Sequence, residues 1–179
     1  MTTGDRRLFD RVRAALIAAK QSPPLLAVTT GDVRPCSAAE RSQWLLAELH
    51  PGSRAYHECN AYRVRGPLVP SALCESLWAI AQRHAILRTG YVRHGDEPHA
   101  RCTTATPSCG IEDHRRTDHD GVETVIRARA RAHADLPFDI EHGPLLRAVI
   151  LQFAPDDWAL VLTVHHLVWD QASLSLLFD

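Results

Sequence analysis

The sequence lacks the features that mark membrane, secreted and nucleic-acid-binding proteins. Its 179 residues carry a formal net charge of −1, so we expect no electrostatic field that gathers nucleic acid or anionic lipid. No apolar run approaches the roughly 20 residues that cross a bilayer. Residues 1–10 are polar and charged, unlike the start of a secretory signal. These absences predict a cytoplasmic protein.

Cysteine is sparse, and its spacing indicates no cross-linked framework. The chain has an odd number of cysteines, and no two of them form a CxxC pair: Cys36, Cys59, Cys74, Cys102 and Cys109. This pattern argues against a set of disulfides and against a zinc site. We therefore expect buried or incidental thiols in a reducing compartment, with no bound metal or cofactor.

What the chain does have is the composition of an ordinary soluble domain, with 45% hydrophobic and 23% charged residues. Helical and strand patterns alternate along it. Helices are predicted over residues 5–20, 37–49, 69–87 and 121–134, and strands over 55–66, in two runs within 89–102 and in two runs within 145–166. This order predicts an α/β fold, a layered α+β sandwich in which a mixed sheet is flanked by helices.

Residues 1–35 are predicted to be an N-terminal helix and linker. The apolar face of helix 5–20 either packs on the domain's own surface or docks an upstream partner. Residues 21–35 contain paired prolines and a Gly-Asp step, which indicates a linker. The domain proper is expected over residues 36–179, beginning with a capping box in which Ser37 and Glu40 start helix 37–49.

Two adjacent histidines stand where a predicted strand ends. The run from Leu160 to Val164 favours a buried strand, and His165 and His166 follow it directly. Neighbouring strand residues point to opposite faces. We therefore expect His166 to face a cleft and His165 to face the core, with its ring nitrogens hydrogen-bonded to the backbone or to a neighbour.

Four interpretations of this pair stay open on the residues alone. The histidines are packing groups without a role, metal ligands, a general base oriented by Asp170, or the remnant of a lost site. A shared metal is disfavoured because the two rings point apart and no third ligand is evident. A serine hydrolase is disfavoured because the chain has no GxSxG motif.

Residues 165–173, HHLVWDQAS, resemble the HHxxxDG motif of condensation domains from nonribosomal peptide synthetases. The HxxxD core is shared by relatives with the chloramphenicol acetyltransferase fold. Three other stretches resemble family motifs in the expected order, so the resemblance covers roughly residues 36–179. They are residues 36–68, which open with CSAAERSQW and include the turn PGSRAY at 51–56, RHAILRTGY at 83–91 and LPFDIEHGPLLRAVIL at 136–151.

The motifs match the family pattern with several departures. Ser37, Ala39 and Trp44 agree with the usual opening motif, Ser-x-Ala-Gln-x-Arg-Leu-Trp. In the family pattern glutamine is usual at position 40, glutamate at position 85, phenylalanine at position 91 and glycine at position 171. This chain has Glu40, Ala85, Tyr91 and Gln171 there, and it has Ser42 and Gln43 in place of arginine and leucine.

The resemblance implies the N-terminal lobe of a two-lobed domain with a tunnel between the lobes. It implies that His166 contacts the attacking amine, as a base or by positioning the amine and stabilising the tetrahedral intermediate. His165 and Asp170 would be structural, with Asp170 paired to an arginine of the C-terminal lobe. Trp169, Gln171 and Ser173 would line the substrate channel.

Arg83 and Arg88 are the remaining candidate site residues. The resemblance implies that they give structural support, and the alternative is that they are solvated charges at a helix end. Glutamine at position 171 also leaves two hypotheses open. Its side chain points away and leaves the chemistry intact, or it narrows the channel and marks an inactive domain, since glutamine is bulkier than glycine.

The implied reaction is amide formation between an acyl or peptidyl thioester and an aminoacyl thioester. The implied partners are donor and acceptor carrier proteins that present 4′-phosphopantetheine, the C-terminal lobe and a downstream adenylation domain. Because residues 36–179 correspond to one lobe, we expect the fragment alone to be inactive. The alternatives are a noncatalytic condensation-like module that recruits carrier proteins or tailoring enzymes, and a stand-alone HxxxD acyltransferase that forms esters.

Overall fold

The computed structural model describes residues 29–170 together with residues 173 and 174. The predicted helix 5–20 and Gln171 lie outside these described residues. None of the helices in the described ranges is long and apolar enough to cross a bilayer.

Helices and strands alternate through the described part of the chain, as the sequence predicts. The helices are α1 (Ala38–Leu49), α2 (Pro70–Arg83) and α3 (Val122–Asp135), with short 3₁₀ turns at Ala85–Arg88 and His119–Gly121. The strands are β1 (Val33–Pro35), β2 (His57–Arg65), β3 (Thr89–His94), β4 (Glu97–Cys102), β5 (Ser108–Asp113), β6 (Leu146–Ala154) and β7 (Asp157–His165).

The strands form two separate sheets. One has three antiparallel strands in the order β1-β4-β3. The other has four strands in the order β2-β7-β6-β5, in which only the β5–β6 pair is parallel. The predicted mixed α/β fold is therefore confirmed, with the strands divided between two sheets.

The four-stranded sheet is buried on both faces, which explains why β6 and β7 are nearly continuous apolar runs. Ile150 faces a core cluster that includes Trp44 of α1 and Leu77 of α2. Val149, the neighbouring residue, faces the opposite cluster with Ile126 of α3. The alternation along the central strands thus builds two cores from one sheet.

Local signals gave the helix boundaries correctly where they were strong. Ser37 caps α1 by accepting from the Glu40 N–H, and the Glu40 side chain accepts from the Ser37 N–H in return. The helix predicted over 69–87 instead ends at Arg83 and continues as the 3₁₀ turn. Its first residue, Pro70, suits the first turn because a proline lacks the N–H that is unpaired there anyway.

Two strands were not expected from the sequence. β1 lies in the stretch predicted as linker, and β5 lies in a stretch with no clear strand pattern. Each is an edge strand that exists through pairing with a strand distant in sequence, β4 for β1 and β6 for β5. Such long-range pairing outweighs weak local preference.

The expectation of thiols without a disulfide is wrong for two cysteines. Cys74 of α2 and Cys109 of β5 form a disulfide, with their Cα atoms 5.6 Å apart. Their separation of 35 positions carries no spacing signal, because the approach depends on how α2 packs against the sheet. Cys36, Cys59 and Cys102 are free, and Cys36 and Cys102 are buried as expected.

The connector between α3 and β6 passes directly beside β3. The Tyr91 N–H donates to the carbonyl of Ile140 at 2.8 Å, so the connector lies along the outer side of β3, which is an edge strand of the three-stranded sheet. A Cβ atom on the preceding Gly90 would lie 2.1 Å from the carbonyl oxygen of Glu141. Only glycine permits this approach of two backbones.

We expect Gly90→Ala to lower the free energy of unfolding by about 2 kcal/mol or more, because the connector must move to admit a methyl group. Urea denaturation followed by tryptophan fluorescence measures the change. Gly110→Ala is the matched control in a strand, since its Cβ would meet only the Val149 side chain at 3.6 Å. Equal stability of the two variants would contradict the backbone contact.

Candidate active site

The histidine pair lies where β7 leaves the sheet. The His165 N–H donates to the carbonyl of Leu145 at 2.9 Å, and the His166 N–H donates to the carbonyl of Tyr56 at 2.9 Å. The β2–β7 ladder pairs His57 with His165, so the bond to Tyr56 extends that ladder by one residue. Both imidazoles therefore project from a backbone that is fixed on two sides.

His165 faces the core, as predicted. Its side chain is buried, and its Nδ1 accepts a hydrogen bond from the Leu167 N–H at 3.1 Å. The rings of His57 and Phe138 meet it edge-on, with centroids 5.6 and 6.0 Å away. Burial lowers the pKa of His165 to about 4, and the nearby His57 and His166 add to the shift. The ring is therefore neutral at neutral pH.

His166 faces outward on the opposite side of the chain, as the alternation predicts. Its side chain is 40% exposed, and its Nδ1 lies 2.7 Å from Oε1 of Glu58 on β2. The two side chains share a face because Glu58 pairs with Val164, two residues before His166. Such diagonal neighbours on an antiparallel pair are within reach of long side chains.

An open cleft with a volume of about 590 Å³ runs along His166. Two segments supply most of its lining, residues 34–43 around the start of α1 and residues 166–170 with 173 after β7. The opening motif and the histidine motif, which are more than 120 residues apart along the chain, thus meet at one depression. A concave depression that is lined mainly by apolar side chains and by a few polar groups is typical of a substrate site.

The other candidates after β7 divide between the core and the loop. Trp169 is buried and lines both the large cleft and a smaller cavity of about 100 Å³. Asp170 is exposed, and its Oδ1 accepts from the N–H and the hydroxyl of Ser173 at 2.8 and 2.6 Å. The aspartate thus fixes the turn that leads to the next helical residues, while Gln171 lies between them among the undescribed residues.

A buried carboxylate supports the other side of the cleft. Glu40 pairs with the Arg34 guanidinium through two hydrogen bonds of 2.8 and 2.6 Å, and it accepts the Tyr91 hydroxyl at 3.0 Å. Burial raises the pKa of Glu40, but the bonds from Arg34 and Ser37 outweigh it and bring the value to about 2. Burial beside this carboxylate raises the pKa of Tyr91.

The Tyr91 hydroxyl also lies 3.2 Å from the carbonyl of Leu167, so its single proton is shared between two acceptors. Leu167 directly follows His166. The network therefore runs from the start of α1 through β3 to the loop that carries the exposed histidine.

The two candidate arginines separate in the structure. Arg88 is buried, and its guanidinium donates to the carbonyls of Ala81 and Thr103 at 3.0 Å each. Arg83 is exposed at the end of α2, as the alternative of a solvated helix-end charge expected. Neither arginine lines the cleft.

Glu58 is the residue at the site that sequence reasoning missed. One acidic residue on an alternating strand carries no signal by itself. The register of β2 against β7 would have found it, since that register makes Glu58 the diagonal neighbour of His166.

Across residues 29–170, 173 and 174, no three His, Cys, Asp or Glu side chains are placed to hold a metal ion.

Comparison with known proteins decides the family. The family model of the condensation domain matches residues 31–179. The chain belongs to this family. Among curated relatives, it is 34% identical over 176 residues to phosphinothricin tripeptide synthetase PhsC of Streptomyces viridochromogenes. It is 34% identical over 146 residues to chondramide synthase cmdD of Chondromyces crocatus.

These alignments take in most of this condensation-domain chain and little of the relatives. They cover 96% and 81% of the chain, which spans only 16% and 4% of the two synthetases. Among solved structures, the starter condensation domain of rhizomide synthetase RzmA superposes with a TM-score of 0.74 at 24% identity, covering 82% of this chain and 37% of that one. The fold is therefore that of condensation domains, the chloramphenicol acetyltransferase-like fold.

The buried imidazole predicts an acid sensitivity of this condensation domain. The folded-state pKa of His165, about 4, lies below the ordinary 6.5, so the unfolded chain binds this proton more readily. The contribution of His165 to the free energy of unfolding is therefore complete above pH 6.5. It is lost as the pH falls toward 4, by roughly 3 kcal/mol at most.

We expect His165→Asn to flatten the fall in unfolding free energy between pH 6.5 and pH 4, the window set by that shift. Urea denaturation across this pH range measures it. His119→Asn is the control, because the His119 side chain is 90% exposed. A curve for His165→Asn as steep as that of the unmodified protein would contradict the buried neutral ring.

Proposed function

We propose that residues 36–179 form the N-terminal subdomain of a condensation domain that catalyses amide formation in a nonribosomal peptide synthetase. The substrates are an acyl or peptidyl thioester and an aminoacyl thioester, each on the 4′-phosphopantetheine arm of a carrier protein. The C-terminal lobe of the same domain and a downstream adenylation domain complete the assembly. The fragment alone is expected to be inactive, because one lobe supplies one wall of the tunnel.

The observation that carries this proposal is the placement of His166. It is the second histidine of the family motif, and it is the one whose ring lines the cleft, while His165 is sealed in the core. A group that contacts substrate must be reachable from solvent, so the geometry favours His166 as the catalytic residue and His165 as structural.

In the proposed reaction, the amine of the acceptor attacks the carbonyl carbon of the donor thioester. A C–N bond forms, the C–S bond breaks, and the proton lost from the amine is carried by His166 toward the leaving sulfur. The product is an amide on the acceptor arm and a free thiol on the donor arm. The residues around His166 hold its loop, with Asp170 fixing the following turn through Ser173.

We expect His166→Ala in the full-length synthetase to lower the rate of amide formation by about 100-fold or more, since a positioned proton-transfer group contributes at least that much. The rate is measured with loaded carrier proteins by mass spectrometry of the acceptor arm. His119→Ala, at an exposed position outside the cleft, is the control. A near-normal rate for His166→Ala would end the case for a catalytic histidine here.

A noncatalytic module that recruits carrier proteins is the second candidate, and Gln171 is the observation that favours it. The family motif has glycine at this position, where the thioester arms approach. If the domain is catalytic as proposed, we expect Gln171→Gly in the full-length protein to leave turnover unchanged. The same carrier-protein assay measures turnover, and a pull-down with carrier protein measures recruitment. Turnover that appears only in the glycine variant would favour the noncatalytic candidate.

A further inference from the structure

We propose that Glu58 positions the imidazole of His166 for proton transfer, an inference that rests on the proposed function. Glu58 is not one of the positions whose match to the family pattern carries the resemblance. Its assignment comes from the contact between Glu58 Oε1 and His166 Nδ1, at 2.7 Å.

The contact follows from the sheet and not from a chance meeting of surface side chains. Glu58 lies inside the nine-residue strand β2, which is paired with β7 along its whole length. The backbone of His166 is bound to the carbonyl of Tyr56, two residues before Glu58. Both Cα atoms are thus fixed by the same ladder, and the two side chains share one face.

This pair is a weak contributor to the stability of the fold. The side chains of His166 and Glu58 are 40% and 34% exposed, and pairs this accessible to solvent add little to the free energy of folding. Its effect is on the orientation of the ring. The Glu58 carboxylate lies 2.7 Å from Nδ1, within reach of its proton, and in the proposed role it accepts from Nδ1–H, which fixes the tautomer and leaves the lone pair on Nε2.

The consequence for the reaction is a division of work between the two ring nitrogens. Nε2 accepts the proton from the attacking amine as the C–N bond forms, and the side-chain oxygen of Glu58 holds the ring in place through Nδ1–H. When the C–S bond breaks, Nε2 returns the proton to the departing sulfur. In this scheme Glu58 touches neither substrate and takes up no proton, so it is a positioning residue.

Two substitutions of similar size separate this role from a packing role. Glu58→Gln keeps a side-chain oxygen that accepts from Nδ1–H, and Glu58→Met keeps the length with only a weak acceptor. In the full-length synthetase we expect Glu58→Met to lower kcat by about tenfold or more with KM unchanged, and Glu58→Gln to retain most of the activity. Equal losses in the two variants, or none in Glu58→Met, would overturn the proposal.

Two further variants guard against an effect on folding. Glu58→Thr suits a strand and is too short to reach Nδ1, so it repeats the loss of kcat with a second shape. Glu97→Met removes another exposed carboxylate, which pairs with Arg41 outside the cleft, and it is expected to leave kcat unchanged. Thermal unfolding of each variant shows whether the fold is intact.

A double-mutant cycle tests whether Glu58 acts through His166. If it does, Glu58→Met causes no further loss in a protein that already carries His166→Ala. Losses that multiply would show an independent role and would overturn the inference.

The cycle also separates this inference from the proposed function. If the His166→Ala variant is active, the proposed function is wrong, and the role of Glu58 that rests on it is wrong as well. If His166→Ala is inactive while Glu58→Met is fully active, the proposed function stands and only the role of Glu58 is wrong.

Discussion

The hydrogen bonds of the Glu40 carboxylate hold together the elements that form one wall of the cleft. It closes the capping box of α1, pairs with Arg34 of β1 and accepts the hydroxyl of Tyr91 on β3. A buried charge is tolerated only when its lone pairs are met by donors, and here three elements supply them. Because the same hydroxyl also meets the carbonyl of Leu167, the position of the loop after His166 is tied to the start of α1.

The second constraint is the register of β2 against β7. It places one imidazole in an aromatic pocket, neutral and closed to solvent, and the next imidazole beside a carboxylate at the edge of a cleft. Two identical side chains therefore acquire different chemistry from adjacent positions. The difference arises from strand alternation, which no change of side chain alone could reverse.

Features governed by neighbouring residues could be predicted from the sequence. The capping box at Ser37, the paired apolar strands that end at His165 and the opposite orientation of the two histidines all follow from local pattern. Features that join distant segments could not be predicted. Strands β1 and β5, the Cys74–Cys109 disulfide and the contact between Glu58 and His166 each depend on which elements become neighbours after folding.

Two departures from the family pattern turn out to be partners in space. Glutamine is usual at position 40 and phenylalanine at position 91, whereas this chain has a glutamate and a tyrosine that are hydrogen-bonded at 3.0 Å. Neither substitution is neutral alone, since phenylalanine would leave the carboxylate short of a donor. The two positions therefore act as one coupled unit in this chain. A chimeric synthetase that exchanges the opening motif of this domain without the segment around Tyr91 would break that unit and weaken the join between the two sheets.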